Sequence, residues 1–473
     1  MHHIGPLADK DLTPFVEQHD ADTGRITYRQ DVLKDCAKYE TVVRAMYQIA
    51  IDAIDAERMN YYSSLYSYPS GTLHHAVDVL QVFVGLLRRL RAFADRYHKQ
   101  FASEGFLRLF AMLRDELSDD YFGAIEDHLK QLKFRRGVLI SASLGKGNKG
   151  MDYVLRKQNA DNRSWIVRLL RKPPGLTYQL HPRDEAGARA LAGLRDRGVN
   201  LVANALAQST DHILSFFQML RTELAFYIGC LNLRQILLEL GEPLCFPVPA
   251  SLGGRTLTAS GLYDVCLTLS MKQKAVGNDV NADGKDLIVI TGANTGDKST
   301  FMRSVGLAQL MMQAGMFVGA ENFSAEVRDG LFTHYKREED ASMESGKLDE
   351  ELGRMSEIVD RLSSLSTVLF NESFASTNER EGSEIAIQIT EALLERGIKI
   401  FAVTHLHEFA RSLHKRNLSN AIFLRAERMP DGTRSFRVIE GEPLQTSYGK
   451  DLYDRILGEP NTPSDLKTLS LAG

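Results

Sequence analysis

Ten residues, Thr291-Gly-Ala-Asn-Thr-Gly-Asp-Lys-Ser-Thr300, have the types and spacing of a polyphosphate-binding turn. In such a glycine-rich turn, backbone N–H groups cradle phosphates, the Lys reaches the β/γ oxygens, and the Ser hydroxyl holds Mg²⁺. The apolar run Leu287-Ile-Val-Ile290 before it and a long helical pattern after it supply the strand–loop–helix context that the chemistry needs. Gly292, Asn294, Thr295, Gly296, Asp297, Lys298, Ser299 and Thr300 are therefore assigned to ATP, and Ser299 also to Mg²⁺. The pattern calls for Gly where this chain has Asp297. A left-handed backbone at that point would cost a non-glycine residue roughly 1–2 kcal/mol, and the carboxylate adds negative charge beside phosphates. On both grounds Asp297→Gly is expected to tighten ATP binding.

Three further segments fit the same chemistry. Ser366-Thr-Val-Leu-Phe-Asn-Glu372 reads as a hydrophobic strand ending in Asn371 and Glu372. An Asp-Glu pair at such a strand end holds Mg²⁺ and orients the attacking water. Here Asn371 offers an amide oxygen without charge, and Glu372 keeps the catalytic place. Phe401-Ala-Val-Thr-His-Leu-His-Glu408 ends a second strand in Thr404-His405, suited to a switch histidine near the γ-phosphate. A metal site on His405, His407 and Glu408 is the competing reading, but no H-E-x-x-H spacing occurs. Glu338-Glu-Asp-Ala-Ser-Met-Glu-Ser-Gly-Lys347 places Ser345-Gly346 ahead of a helix expected over Leu348 to Arg361. Free N–H groups and the positive dipole end there can meet an anion; simple helix capping explains the pair equally well.

These segments need a scaffold of alternating strands and helices. Such a pattern follows Pro247 to Gly254, which reads as a linker, and it usually builds a mainly parallel sheet. Upstream the chain is mostly helical. Apolar residues at helical spacing mark Asp78 to Leu90, Gly105 to Glu116 and Tyr121 to Leu132. The period then changes. Gly137 to Ser143 and Trp165 to Leu170 read as strands, separated by the turn-rich Gly145-Lys-Gly-Asn-Lys-Gly150. Helix resumes near Asp184 and runs, with breaks, to Leu240. The expected organisation is an irregular segment over 1–28, a helical core and lever over 29–134, and a small β-rich insertion over 135–183. A second helical part follows over 184–246, and an α/β ATPase domain over 247–473. Thirty helical residues span about 45 Å, enough to hold the insertion away from the ATPase domain.

Charge is distributed unevenly. The chain of 473 residues has a net charge of −4, yet Lys133 to Lys172 holds eleven basic and two acidic residues, a local +9. A basic island on an acidic body is the footprint of a polyanion contact. Lys146, Lys149, Arg156 and Lys157 are assigned to DNA, with RNA or a protein partner as alternatives. Four dispersed cysteines, with no C-x-x-C pair, fit a reducing compartment and neither a disulfide framework nor a zinc site. The N-terminus lacks the basic-then-apolar pattern of a signal peptide. The apolar stretch Val305 to Ala320, interrupted by Gln309 and Gln313, reads as a buried helix and not as a membrane span. Together these features predict a cytoplasmic protein.

The motifs resemble the ATPase domain of the MutS family of DNA mismatch-repair proteins. Gly292-Ala-Asn-Thr-Gly-Asp-Lys-Ser-Thr-Phe-Met-Arg303 is similar to that family's Gly-Pro-Asn-x-Gly-Gly-Lys-Ser-Thr-x-x-Arg. Val276-Gly-Asn-Asp279, Thr404-His405 and Ser447-Tyr-Gly449 resemble its flanking, switch and late motifs, so the likeness covers about Val276 to Leu457. A weaker likeness of order and helical character extends back to Arg29. The resemblance implies a P-loop ATPase domain of ABC-like fold, a helical core and lever, and a clamp where the basic insertion stands. It also implies a homodimer in which Lys298, Ser299, Asn294, Glu372 and His405 of one chain share a nucleotide with Ser345 of the other. Three departures bear on function: Asp297, Asn371, and the roughly 28 residues before the core, which leave no space for mismatch-reading and connector domains. Phe15-Val-Glu17 matches the family's mismatch-wedge spelling, but so does Phe370-Asn-Glu372 inside a strand, so it is read as coincidence. Gly473 likewise leaves no space for an appended nuclease. The expected activity is an ATP-dependent DNA clamp without mismatch reading. The alternative is a nucleotide-binding scaffold in which Asp297 and Asn371 suppress turnover.

Overall fold

The computed structural model describes residues 23–61, 68–134, 137–157, 178–250, 254–292, 297–336, 346–429 and 434–443. The chain divides into two compact units, one of Met1–Leu33 with Asn232–Gly473, the other of Lys34–Leu231.

Helices come first: α1 (Thr23–Lys38), α2 (Glu40–Tyr61), α3 (Pro69–Tyr97), α4 (Glu104–Glu116) and α5 (Asp119–Leu132). Strands β1 (Leu139–Leu144) and β2 (Gly150–Arg156) form an antiparallel hairpin. Helix α6 (Glu185–Glu239) follows and supplies its residues 185–231 to this second unit. Helix α3 buries Leu73, Val77, Leu80, Val84 and Leu87, a stripe at three- and four-residue spacing that has to face other helices. Phe83 meets Phe217 of α6 with ring centroids 5.5 Å apart. The Asp35 carboxylate accepts from the N–H groups of Ala102 and Ser103 at 2.9 and 2.7 Å, which fixes the entry to α4.

The structure departs from the sequence reading at two places here. The strand after the Gly145–Gly150 turn is Gly150–Arg156, immediately adjacent; the strand expected at Trp165 lies outside the described residues. And α6 runs 55 residues unbroken, because Gly187, Gly193, Gly198 and Gly229 are single interruptions that a helix tolerates at about 1 kcal/mol each.

The first unit continues with β3 (Val248–Ala250), β4 (Leu257–Leu262), α7 (Val265–Met271), β5 (Asn278–Asn281), β6 (Leu287–Thr291) and α8 (Asp297–Gln313). Then come β7 (Asn322–Glu326), β8 (Gly330–Tyr335), α9 (Lys347–Val359), β9 (Ser366–Asn371), α10 (Glu379–Glu395) and β10 (Lys399–Val403). Helix α11 (His407–Lys415), β11 (Ala421–Arg428) and β12 (Arg434–Glu440) complete it. Six strands lie in the order β12-β11-β6-β10-β9-β8, parallel except for β12. A second sheet, β3-β7-β4-β5, is mixed; part of the expected linker at Pro247–Gly254 is its edge strand β3.

Strands β6 and β10 are buried throughout and, apart from Thr291 and Lys399 at their ends, apolar, because both faces are covered. Ile288, Ile290, Phe401 and Val403 join Phe301, Met302 and Val305 of α8 on one face. Leu287, Val289, Ile400 and Ala402 join Ala386, Leu393, Phe409 and Leu413 of α10 and α11 on the other. Buried Gln309 and Gln313 are satisfied in place: their amides donate to the Glu326 and Arg328 carbonyls at 2.9 and 2.8 Å. Among the described residues no helix is long and apolar enough to cross a membrane.

Candidate nucleotide site and basic hairpin

Strand register brings the sequence motifs to one edge. Val403 pairs with Ile290 on one side and with Asn371 on the other. The ladder continues one step beyond the strands, where Glu372 N–H donates to the Val403 carbonyl (2.8 Å) and Thr404 N–H to the Ile290 carbonyl (3.1 Å). The carboxyl ends of β6, β10 and β9 therefore lie side by side, the edge at which open parallel sheets bind ligands.

Gly292 leaves β6 with φ of 119°, a value that side chains rarely allow. A Cβ there would come within 3.0 Å of the Ala426 Cβ and 3.1 Å of its N. Asn294, Thr295 and Gly296 lie outside the described residues. Asp297 is the first residue of α8. Its backbone is thus right-handed helical, and the left-handed penalty expected from the Gly pattern does not arise; the tightening expected of Asp297→Gly loses that support. Lys298 is 4% exposed, and its Nζ donates to the Gly292 carbonyl at 2.7 Å. Ser299 Oγ donates to Asn371 Oδ1 at 2.7 Å. Two oxygens of the kind hard cations favour are thereby held together beside a buried ammonium. This set fits a phosphate paired with Mg²⁺. Thr300 follows on α8, half-buried.

Glu372 has φ of 54°, a left-handed conformation in a non-glycine residue. Its Oε1 lies 3.7 Å from His405 Nδ1, with about a third of each side chain exposed. His405 holds the Glu372 carboxyl below its ordinary value, as a hydrogen-bonding partner and through charge, and Lys298 and Lys336 add to this; burial opposes it. At 3.7 Å the contact is long for a hydrogen bond, so the pair is loose. Lys336 lies in no recognisable sequence motif; it follows β8, and its N–H donates to the Asn371 carbonyl at 3.1 Å.

Thr404 Oγ1 accepts from Leu406 N–H (2.9 Å), turning the chain so that His407 begins α11. His407 N–H donates to Glu379 Oε1 at 3.0 Å. No group of three or more His, Cys, Asp or Glu is placed to hold a metal among the described residues, so His405, His407 and Glu408 do not form one there. Gly346 is the N-cap of α9, and Ser345 lies outside the described residues, as do Phe15–Glu17 and Ser447–Gly449.

In the other unit, Lys146 and Lys149 sit at the hairpin turn and Lys157 just after β2, all exposed. Arg156 reaches back across the hairpin, its Nε donating to Ser141 Oγ at 2.9 Å. An open recess of about 570 Å³ is lined by Lys146, Lys149, Met151, Tyr153 and Arg197. Arg197, on α6, lies 5.8 Å from the Tyr153 ring centroid and adds a cation that sequence separation conceals.

Comparison with known proteins agrees with these motifs. The family model described as MutS2 N-terminal domain matches residues 21–240, and that described as MutS domain V matches residues 288–461. The chain is 33% identical to the DNA mismatch repair protein MutS of Thermotoga maritima over 191 residues, 40% of this chain and 24% of the relative. It is 26% identical to that of Prochlorococcus marinus over 387 residues, 80% of this chain and 39% of the relative. It is 36% identical to the protein named Endonuclease MutS2 of Lacticaseibacillus casei over 137 residues, 28% and 17% of the two chains. The matched part is thus well under half the length of each of these relatives.

Proposed function

The chain belongs to the MutS family, and on that premise we propose that it is a DNA-binding ATPase whose nucleotide turnover controls its hold on DNA. The observation that carries this reading is the convergence of Lys298, the Ser299–Asn371 pair and the Glu372–His405 pair at adjacent strand ends. Lys298 would exchange its bond to the Gly292 carbonyl for the β/γ-phosphate oxygens. Ser299 and Asn371 would hold Mg²⁺, which when bound neutralises phosphate charge. Glu372, ionised and facing His405, would orient the attacking water and accept its proton. The second reading, a scaffold with little turnover, is favoured by Asn371, which brings no charge to the cation. Steady-state ATPase assays with and without duplex DNA separate the two. Stimulated turnover supports the motor; bound nucleotide without turnover supports the scaffold.

The basic hairpin would supply the DNA contact. Each phosphate contact contributes about 0.9 to the salt slope of log K. Changing Lys146, Lys149, Arg156 and Lys157 together to Ala is expected to weaken duplex binding and to flatten that slope by about 3 to 4. Titrations at several salt concentrations measure both. An unchanged slope would remove the hairpin from the interface, and preferential competition by RNA would redirect the assignment.

A homodimer would complete each nucleotide site with Ser345 of the second chain. Ser345→Arg and Lys298→Ala proteins, mixed, leave one composite site intact in each heterodimer. Partial recovery of turnover is expected. Failure to recover, with heterodimers verified by mass, counts against the shared site.

A further inference from the structure

Behind Glu372 lies a buried polar cluster that the nucleotide chemistry does not use. Its members come from three elements: His334 on β8, Glu351 on α9, and Ser373 directly after Glu372. They are 0%, 2% and 6% exposed. Ser373 Oγ lies 2.7 Å from His334 Nδ1 and 2.7 Å from the His334 carbonyl oxygen. His334 Nε2–H donates to the Glu351 carbonyl at 3.0 Å. The Glu351 carboxylate reaches forward, Oε1 accepting from Phe374 N–H at 2.9 Å. The His334 ring stacks on Phe374 with centroids 5.3 Å apart. Arg354, on the same helix as Glu351, donates to the Tyr335 carbonyl at 3.0 Å and ties that helix to β8 again.

The turn held by this cluster is strained. Glu372 and Phe374 have φ of 54° and 63°, and neither is glycine. Such a conformation is unfavourable for a residue with a Cβ and persists where its surroundings over-determine it. Without these bonds the segment would relax toward extended or right-handed backbone. Rotation about φ of Glu372 swings its carboxylate away from His405. Helix α10 closes the other side: a Cβ on Gly382 would lie 2.3 Å from the Phe374 carbonyl oxygen, so only glycine lets that helix approach the turn.

We infer that Glu351, His334 and Ser373 are positioning residues, a latch that holds the left-handed turn and so aims the Glu372 carboxylate. The inference rests on the ATPase reading for its kinetic consequence but not for its structural one. The latch also links Glu372 to α9, so a displacement of that helix would be felt at the carboxylate through the Glu351–Phe374 bond.

The test uses the full chain with Glu351→Ala, Ser373→Ala and the conservative Glu351→Gln, which keeps an oxygen acceptor for Phe374 N–H. Circular dichroism and thermal unfolding establish which variants are folded. Ser373→Ala removes one hydroxyl, so it keeps the test open should Glu351→Ala fail to fold. Expected results are a kcat lower by about 10- to 100-fold in Ser373→Ala and Glu351→Ala, the scale for a catalytic group displaced by about an ångström. ATP affinity should stay within about twofold, and Glu351→Gln should retain turnover within about threefold of the parent. A split of this kind is not what general loosening of the domain would give, since that lowers affinity as well. Folded Ser373→Ala with parental kcat overturns the latch. A parent that binds ATP without hydrolysing it overturns the ATPase reading instead. Crystal structures of the variants then decide the latch: Glu372 leaving the left-handed region supports it, and an unchanged turn and His405 distance overturn it.

Discussion

Glu372→Gln is expected to keep ATP bound while lowering turnover by about 10²- to 10⁴-fold, the usual contribution of a positioned general base. The substitution preserves side-chain size and one oxygen, so the turn after β9 keeps its packing. What it removes is the charge. In the parent that charge is secured by its surroundings: His405 at 3.7 Å, together with Lys298 and Lys336, keeps the carboxyl ionised against the opposing effect of burial. A carboxylate is also repelled by phosphate, so its loss does not weaken binding on electrostatic grounds. Steady-state hydrolysis and fluorescent-nucleotide titration of both proteins, at the same Mg²⁺ concentration, measure the two quantities. Hydrolysis at the parental rate would remove Glu372 from the chemistry. Tight binding with no turnover in either protein would favour the scaffold.

The parts of this site that the sequence reveals are those where one element carries both the geometry and the chemistry. Leu287-Ile-Val-Ile290 is apolar because the strand is covered on both faces, and the glycine-rich turn follows at its end; the structure has a strand and a helix on either side of that turn. The strand ends at Asn371 and Val403 are legible for the same reason. The helices of 104–116 and 119–132 begin within two residues of the positions read from their periodicity. Register and pairing are not local properties. Nothing near Gly150 announces that it begins the partner of β1, and the mixed sheet β3-β7-β4-β5 is assembled from strands spread over 79 residues. The backbone part of the Asp297 expectation fails for a related reason. A glycine in a motif can be required by backbone angle or by close approach of a ligand, and sequence alone does not separate these. The helical backbone at Asp297 removes the first and leaves the second. Arg197, Lys336, Glu351 and His334 escape a linear reading because each meets its partners from a different element.

Lys298→Ala is expected to weaken ATP binding by about thirtyfold or more. The residue is 4% exposed, so water screens its charge poorly and a charge-assisted hydrogen bond there is stronger than in water. Truncating one partner of a buried charged contact costs roughly 2–5 kcal/mol, the lower end of which already corresponds to about thirtyfold. The substitution also removes the 2.7 Å bond to the Gly292 carbonyl, so a loss of fold must be distinguished from a loss of ligand. Thermal unfolding does this in one experiment. A ligand at a hundred times its Kd stabilises the folded state by about 2.7 kcal/mol, so the parent should unfold several degrees higher with ATP and Mg²⁺ than without. The variant should unfold cooperatively near the parental ligand-free temperature and show no rise when both are added. An equal rise in the two proteins would place the phosphates away from Lys298, and the assignment of the Thr291–Thr300 turn to nucleotide would fall with it.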